Sequence, residues 1–590
     1  MLIVSVKRNR YDSYNINWPV QNQELLDNVR KLEKKSYDSG LRVWIMNSVN
    51  LYALIMAYKG RKDIFFDFGT PEIKQKFLED KEKHEGKVRA KQEALQGCLD
   101  KQDQLRAYKK ELFAGEVQLD YSGLLRPEIK LYEYQKKAAL FGTRAGSYLL
   151  AADMGVGKSI SALVTTLYRQ IPNKVLIVVP NNLMYNWVNE VKKFTFEQAF
   201  ILTQKKNEYP IEICKFVIVS YGFFSRSFSM DKLNTLLKGS KIGYTIFDEA
   251  HYLKNKKSNR GHNIEKYFKE VRSDFVFLTG TPMPNRIQEL FYIFKALLPQ
   301  EFTSLTKFKS EYCGLNYDLN KHMELQANSP DLQKLFNKLD SVMFRVLKKD
   351  VLKDLPKVTK NKVYIDLTDT ERKEYERLES GFSEVDWDTD YFGKPEGNQN
   401  PLTVLMKLRQ YLSSLKVDYV SELIDGFNSQ GEKVVVFDLF KAGLRKLYEL
   451  FPDKSVVYSG DIKDLSDRNN IINRFQQKDQ DLMNLLITIQ SGKEGLTLTR
   501  AHIMVMQSES WVPSENDQCY ARVDRIGQEF PVFIYKPICK GTVDEDVDYV
   551  LEDKTRVIKQ VVDNVKYQDE SNKSVLDEVL VGFRKKYSKK

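Results

Sequence analysis

One short run constrains this chain more than any other. Ala151-Ala152-Asp153-Met154-Gly155-Val156-Gly157-Lys158-Ser159 follows an apolar stretch that opens at Tyr148. It precedes Ser161 to Leu167, whose apolar residues recur at helical spacing. Buried strand, glycine turn and helix form the setting in which such a loop holds phosphates. With no β-carbons at Gly155 and Gly157, backbone N–H groups can approach an anion at the helix N-terminus. Lys158 would add charge for the outer phosphates, and the Ser159 hydroxyl would help hold Mg²⁺. The run predicts ATP as ligand; a ligand-free strand-to-helix turn is the bland alternative.

A loop of this kind needs carboxylates at the end of another strand, one for Mg²⁺ and one to polarise the attacking water. Thr245-Ile246-Phe247-Asp248-Glu249-Ala250-His251 supplies them. Asp248 would reach Mg²⁺, and Glu249 would activate the water. The competing reading makes both residues caps of a surface helix.

Leu278-Thr279-Gly280-Thr281-Pro282 follows, and far downstream comes Gln518-Cys519-Tyr520-Ala521-Arg522-Val523-Asp524-Arg525-Ile526-Gly527-Gln528. In this order the segments resemble those of superfamily-two helicases, and within them the Swi/Snf-type ATPases, over residues 125–550. Leu131-Tyr132-Glu133-Tyr134-Gln135 resembles the adenine-reading motif, and Val178 to Leu183 with Trp187 and Glu190 resembles motif Ia. Val219-Ser220-Tyr221 resembles motif Ib, Lys433 to Phe437 motif IV, and Ser491 to Thr499 motif V. Phe344 to Val351 with Leu355-Pro356 is similar to the brace between the lobes. The N-terminus is similar to the HARP module of annealing helicases at Tyr37-Asp38, Arg42 and Trp44. This chain departs from the Swi/Snf pattern at Ala152 and Asp153 (usually Asp-Glu), Ser159 (Thr), Val346 (Arg) and Asp524 (His).

The resemblance implies two RecA-like parallel-sheet lobes with ATP in the cleft between them, a small N-terminal α/β domain and helical insertions. Lobe 1 would supply Gln135, Gly155, Gly157, Lys158, Ser159, Asp248 and Glu249, and Arg522 and Arg525 would reach across as arginine fingers. Thr279, Gly280, Thr281 and Gln518 would couple hydrolysis to motion. Contacts to a nucleic-acid backbone would come from Asn181, Asn182, Ser220, Tyr221, Lys407, Arg409, Ser491 and Gly492. The expected activity is translocation on double-stranded DNA with remodelling of branched or forked DNA. Two alternatives are removal of a DNA-bound protein such as RNA polymerase, reached through residues 1–125, and a non-catalytic nucleic-acid scaffold.

Composition is compatible with these readings. A formal charge of +12 favours a polyanionic partner without identifying it. The 590 residues, 42% hydrophobic, can bury several cores. Five dispersed cysteines show no metal-ligand spacing, which suits a reducing compartment, and no run approaches a membrane span. A soluble intracellular monomer is expected, cytoplasmic if bacterial or phage-encoded.

The expected division is an accessory domain at 1–125, lobe 1 at 126–300, a helix-rich protrusion and linker at 301–414, lobe 2 at 415–550 and a brace with basic tail at 551–590. Tyr37 and Trp44 read equally as core aromatics or as DNA contacts. Pro71 to Phe113 reads as one or two long charged helices forming an arm on lobe 1, Asp386 to Pro401 as an exposed loop, and the tail as a frayed end by default.

Overall fold

The computed structural model describes the chain except residues 1, 10–12, 19–21, 33–34, 203–212, 226–227, 254–258, 284–285, 314, 319–322, 327–330, 353–355, 385–399, 479–480, 493–495, 564–578, 580, 584–585 and 587–590. It divides into two compact units, Met1–Lys101 and Gln102–Lys590.

In the first unit, buried and open residues alternate along Leu2–Arg8 and Ser13–Asn17, putting Val4, Val6, Tyr14 and Ile16 on one face. These strands sit in a five-stranded sheet ordered Lys35–Asp38, Val43–Asn47, Ser13–Asn17, Leu2–Arg8, Ile64–Asp67. Helices Gln23–Lys31 and Ser48–Ala57 start on Asn22 and Asn47, whose side chains accept from Leu25 N and Asn50 N. Leu25, Val29, Leu51 and Leu54 complete the core. Tyr37 faces Trp44 across an antiparallel pair with ring centroids 5.1 Å apart. Tyr37 is 51% exposed, so the pair is not interior.

In the second unit, Lys174–Val179, Phe216–Ser220 and Ile242–Asp248 are runs of apolar, often β-branched residues without polar alternation. Strands of that kind are covered on both faces. They lie in a seven-stranded parallel sheet ordered Met343–Val346, Tyr148–Ala152, Asp274–Thr279, Ile242–Asp248, Lys174–Val179, Phe216–Ser220, Ala199–Ile201. A second parallel sheet runs Val358–Ile365, Val532–Cys539, Ile503–Met506, Val434–Asp438, Asn484–Thr488, Ser455–Tyr458. These are the two lobes. In each, the loops at the carboxyl ends of the central strands carry the motif residues.

Three expectations need revision. The start of the helix-rich stretch expected at 301–414 does contain helices Leu305–Tyr312 and Leu332–Asp340, but the strands Leu315–Asp318 and Met323–Gln326 pair between them. The brace-like Met343–Val346 is the edge strand of lobe 1, bonded directly to the phosphate-loop strand. The tail is not simply frayed. Helix Val543–Asp563 leaves lobe 2 and packs on Leu332–Asp340 of lobe 1, while Val579 and Phe583 are buried and Phe583 stacks on Phe382 at 4.3 Å. Of the expected loop Asp386 to Pro401, residues 386–399 lie outside the described residues, as does most of the basic tail.

Pro71–Ala114 is one 44-residue helix. Its last turns belong to lobe 1, where Leu105 and Leu112 join the core, Gln102 Oε1 accepts from Ser341 Oγ at 3.0 Å and Lys109 pairs with Asp340.

Candidate active site

Strand Tyr148–Ala152 ends in the glycine turn, and helix Lys158–Tyr168 begins on Gly157. Gly155 and Gly157 have φ of 81° and 78°, the left-handed region that side chains resist. Space is short as well: a β-carbon on Gly157 would lie 2.6 Å from Gln135 Nε2, and one on Gly155 would lie 3.0 Å from Arg525 Cβ. The turn therefore exposes amide groups at a helix start, with Lys158 and Ser159 in its first turn. Lys158 Nζ donates to the carbonyls of Ala152 at 2.9 Å and Asp153 at 3.3 Å. Burial lowers its pKa, and Glu249, Asp248 and Asp153 oppose that shift.

Gln135 is buried beside the turn, accepting from Tyr132 N at 3.0 Å. The neighbouring Tyr134 hydroxyl donates to Val156 O at 2.8 Å, and the Tyr132 and Tyr134 rings stack at 5.6 Å.

Asp248 ends its strand under two donors, Trp187 Nε1 at 2.8 Å and the Glu249 amide at 2.9 Å. Burial and the neighbouring Glu249 charge hold its carboxyl above the usual aspartate range. Glu249 sits at φ 51°, a conformation costing a non-glycine residue of order 1–3 kcal/mol. Burial raises its pKa, but His251, with Nδ1 3.2 Å from Glu249 Oε2, and the Lys158 and Arg522 charges together bring it below the usual value. The pair is thus divided into a carboxyl that protonates early and one that stays ionised.

Lobe 2 closes the site. Helix Pro513–Val523 carries Gln518 and Arg522, both buried. Arg525 donates to Leu496 O at 3.1 Å and Thr497 Oγ1 at 2.8 Å. Burial depresses both guanidinium pKa values, that of Arg522 to about 10. Thr279 ends the strand beside the loop and accepts from Thr281 N at 3.1 Å. A β-carbon on Gly280 would press on Met154 at 3.1 Å and stand 3.6 Å from Lys158 Nζ. Lys158, Asp248, Glu249 and Arg522 thus lie within electrostatic reach of one another, with Gly280 beside Lys158 and Arg525 against Gly155.

The residues expected along a nucleic-acid backbone separate into two sets. Asn181, Asn182 and Lys407 are exposed, and Ser220 is half-buried. Tyr221, Arg409, Ser491 and Gly492 are instead interior. Tyr221 donates to Asp248 O at 2.8 Å and stacks on Tyr252 at 5.3 Å, so it buttresses the carboxylate turn. Arg409 lies over Trp511 at 4.1 Å, Ser491 Oγ accepts from Thr488 Oγ1 at 3.1 Å, and a β-carbon on Gly492 would strike Phe437 at 2.3 Å. Motif positions alone cannot separate a residue that touches a ligand from one that holds its neighbour. Trp187 escaped notice as the support of Asp248 for that reason, although a buried indole N–H needs an acceptor.

Among the described residues no three His, Cys, Asp or Glu gather into a metal cage, and no helix is long and apolar enough to cross a membrane. Ser159 and Asp248 match the sparse protein ligation of Mg²⁺ that is shared with phosphates. A cavity of about 450 Å³ lined by Tyr375, Glu379, Asp546, Tyr549 and Phe583 contains none of the candidate site residues.

The SNF2-related domain matches residues 29–417 and the helicase conserved C-terminal domain residues 415–527. The human "DNA annealing helicase and endonuclease ZRANB3" is 28% identical over 453 residues, 73% of this chain and 40% of that protein. An "Uncharacterized ATP-dependent helicase" of Mycoplasma pneumoniae is 27% identical over 71% of this chain and 40% of its own length. The solved Sulfolobus solfataricus SWI2/SNF2 ATPase core in complex with dsDNA aligns with 76% of this chain and 99% of that one, at 22% identity and a TM-score of 0.36. The chain therefore spans about 40% of the length of the curated relatives it matches. It belongs to the SNF2-related domain family.

Proposed function

We propose that this chain is a DNA-dependent ATPase that translocates on double-stranded DNA and remodels branched or forked DNA. The observation behind this is the meeting of Asp248 and Glu249 of lobe 1 with Arg522 and Arg525 of lobe 2 around the Lys158 loop. Bound with Mg²⁺, ATP supplies the phosphoanhydride whose cleavage drives motion. The loop amides, Lys158 and Ser159 would hold the phosphates, Asp248 would hold the metal side, and Gln135 would read an adenine edge. Glu249, kept ionised, orients and deprotonates water. Arg522 and Arg525 neutralise charge as it develops, a role worth roughly 10³ to 10⁵ in rate. Because they belong to lobe 2, turnover depends on lobe closure. Thr279, Thr281 and Gln518 pass that closure on to a bound backbone, for which Asn181, Asn182, Ser220 and Lys407 are the accessible contacts. The domain division is proposed with it: substrate choice in the N-terminal region, chemistry between the lobes, and bracing after residue 550.

The annealing-helicase name of the human relative favours forked or annealing substrates. Steady-state ATP hydrolysis by wild type and Glu249→Gln without nucleic acid and with single strand, duplex, fork and RNA tests the reading. Stimulation by duplex or fork in the wild type alone is expected. Lack of stimulation by every polynucleotide, or vigorous unwinding of plain duplex in a strand-displacement assay, would overturn it.

A further inference from the structure

Asp524 immediately precedes Arg525, and its Oδ1 lies 2.7 Å from Lys348 Nζ. Lys348 opens the short helix that follows the edge strand of lobe 1, so the ion pair joins the lobes. The Lys348 amide donates to Asp153 Oδ2 at 2.9 Å, and Asp153 Oδ1 lies 3.0 Å from Arg345 Nη1. Arg345 Nε in turn lies 2.7 Å from Asp563 Oδ1 on the returning helix. Ion pairs joined by the Lys348 amide hydrogen bond thus link the phosphate loop, the segment between the lobes, Asp524 of lobe 2 and the C-terminal brace. All of its side chains are at least two-thirds buried. Lys348 also feels the Arg525 charge, as two cations brought together by lobe closure must. The Asp524 carboxylate offsets that repulsion at Lys348, while Arg525 Cβ lies 3.0 Å from where a Gly155 β-carbon would stand.

We propose that Asp524 is a positioning residue. Pairing with Lys348, it seats Arg525 against the phosphate loop and shields it from the lysine charge. This rests on the ATPase reading above. A merely structural salt bridge would move the melting midpoint and leave kcat at saturating ATP unchanged; here, once Asp524 is neutral, the Lys348 charge slows turnover, so removing that charge as well should restore kcat.

Wild type, Asp524→Asn, Lys348→Met and the double variant are compared for duplex-stimulated turnover, KM for ATP and melting midpoint without nucleotide. Asp524→Asn should lose about tenfold in kcat, the scale of one charge-assisted hydrogen bond, with KM within about twofold. The double variant should return to within about threefold of wild type. Wild-type kcat in Asp524→Asn, or a double variant no better than Asp524→Asn, would overturn the proposal. The nucleotide-free melts form a double-mutant cycle that needs no turnover. Strictly additive shifts there would overturn the pairing even if the wild type hydrolyses nothing, a result that would count against the ATPase reading alone.

Discussion

Asp248, the carboxylate proposed for the metal side, shows how far a site residue depends on neighbours that hold it. Trp187 holds one carboxylate oxygen, the Glu249 amide the other, and Tyr221 the carbonyl behind them. The Trp187 bond favours the ionised form, against burial and the Glu249 charge. The sign follows. The pKa is raised in the fold, so as pH falls Asp248 protonates before an ordinary carboxylate would, while Glu249, held low, remains charged. The acid limb of kcat/KM for MgATP should therefore report Asp248. Trp187→Phe removes the stabilising donor and should move that limb about one pH unit towards neutrality, since a hydrogen bond to a charged group contributes roughly 1.5–3 kcal/mol. A pH-rate profile checks this; an unmoved limb would mean that another group titrates there. The same raised pKa means that Asp248 weakens the fold as pH climbs from about 4, the ordinary aspartate value.

Elements differed in legibility according to how they are buried. Strands Lys174–Val179, Val434–Asp438 and Asn484–Thr488 could be read because strands covered on both faces are nearly pure apolar runs. The edge strand Met343–Val346 has only four residues, one of them Arg345, and its pairing with the phosphate-loop strand is a long-range fact that no local pattern contains. The same holds for the long helix. Its charge pattern identifies a helix, but not that Leu105 and Leu112 are buried in the lobe 1 core. Leu112→Ala should cost about 2–5 kcal/mol, as a buried leucine truncation does, whereas the same change at the 40%-exposed Leu78 should cost far less. Chemical denaturation of both variants measures the difference, and equal losses would place the anchor elsewhere.

At the scale of the whole molecule, the family and its two parallel-sheet lobes could be named from sequence because each motif carries its own chemistry. How the lobes meet could not, because Asp153, the neighbours Arg345 and Lys348, Asp524 and Asp563 come from four separate places in the chain, and no local pattern pairs them. The excess positive charge bears on the other partner. A protein that grips phosphates without reading bases exchanges counterions, so log affinity for duplex should fall steeply and linearly with log salt. Titration of a labelled duplex between about 50 and 200 mM salt should show a drop of at least an order of magnitude; a flat response would deny a backbone grip.

Among the described residues, the lobes are joined where the lobe 1 edge strand Met343–Val346 is followed by Val358–Ile365 of lobe 2, and again where helix Val543–Asp563 turns back onto lobe 1. A body hung at two separate points swings about the line joining them, as a door does, and cannot wander. Opening and closing would then retrace one arc. The distance moved per nucleotide would be fixed by where that axis lies and how far the grip stands from it, and the chemistry would decide only when the door moves.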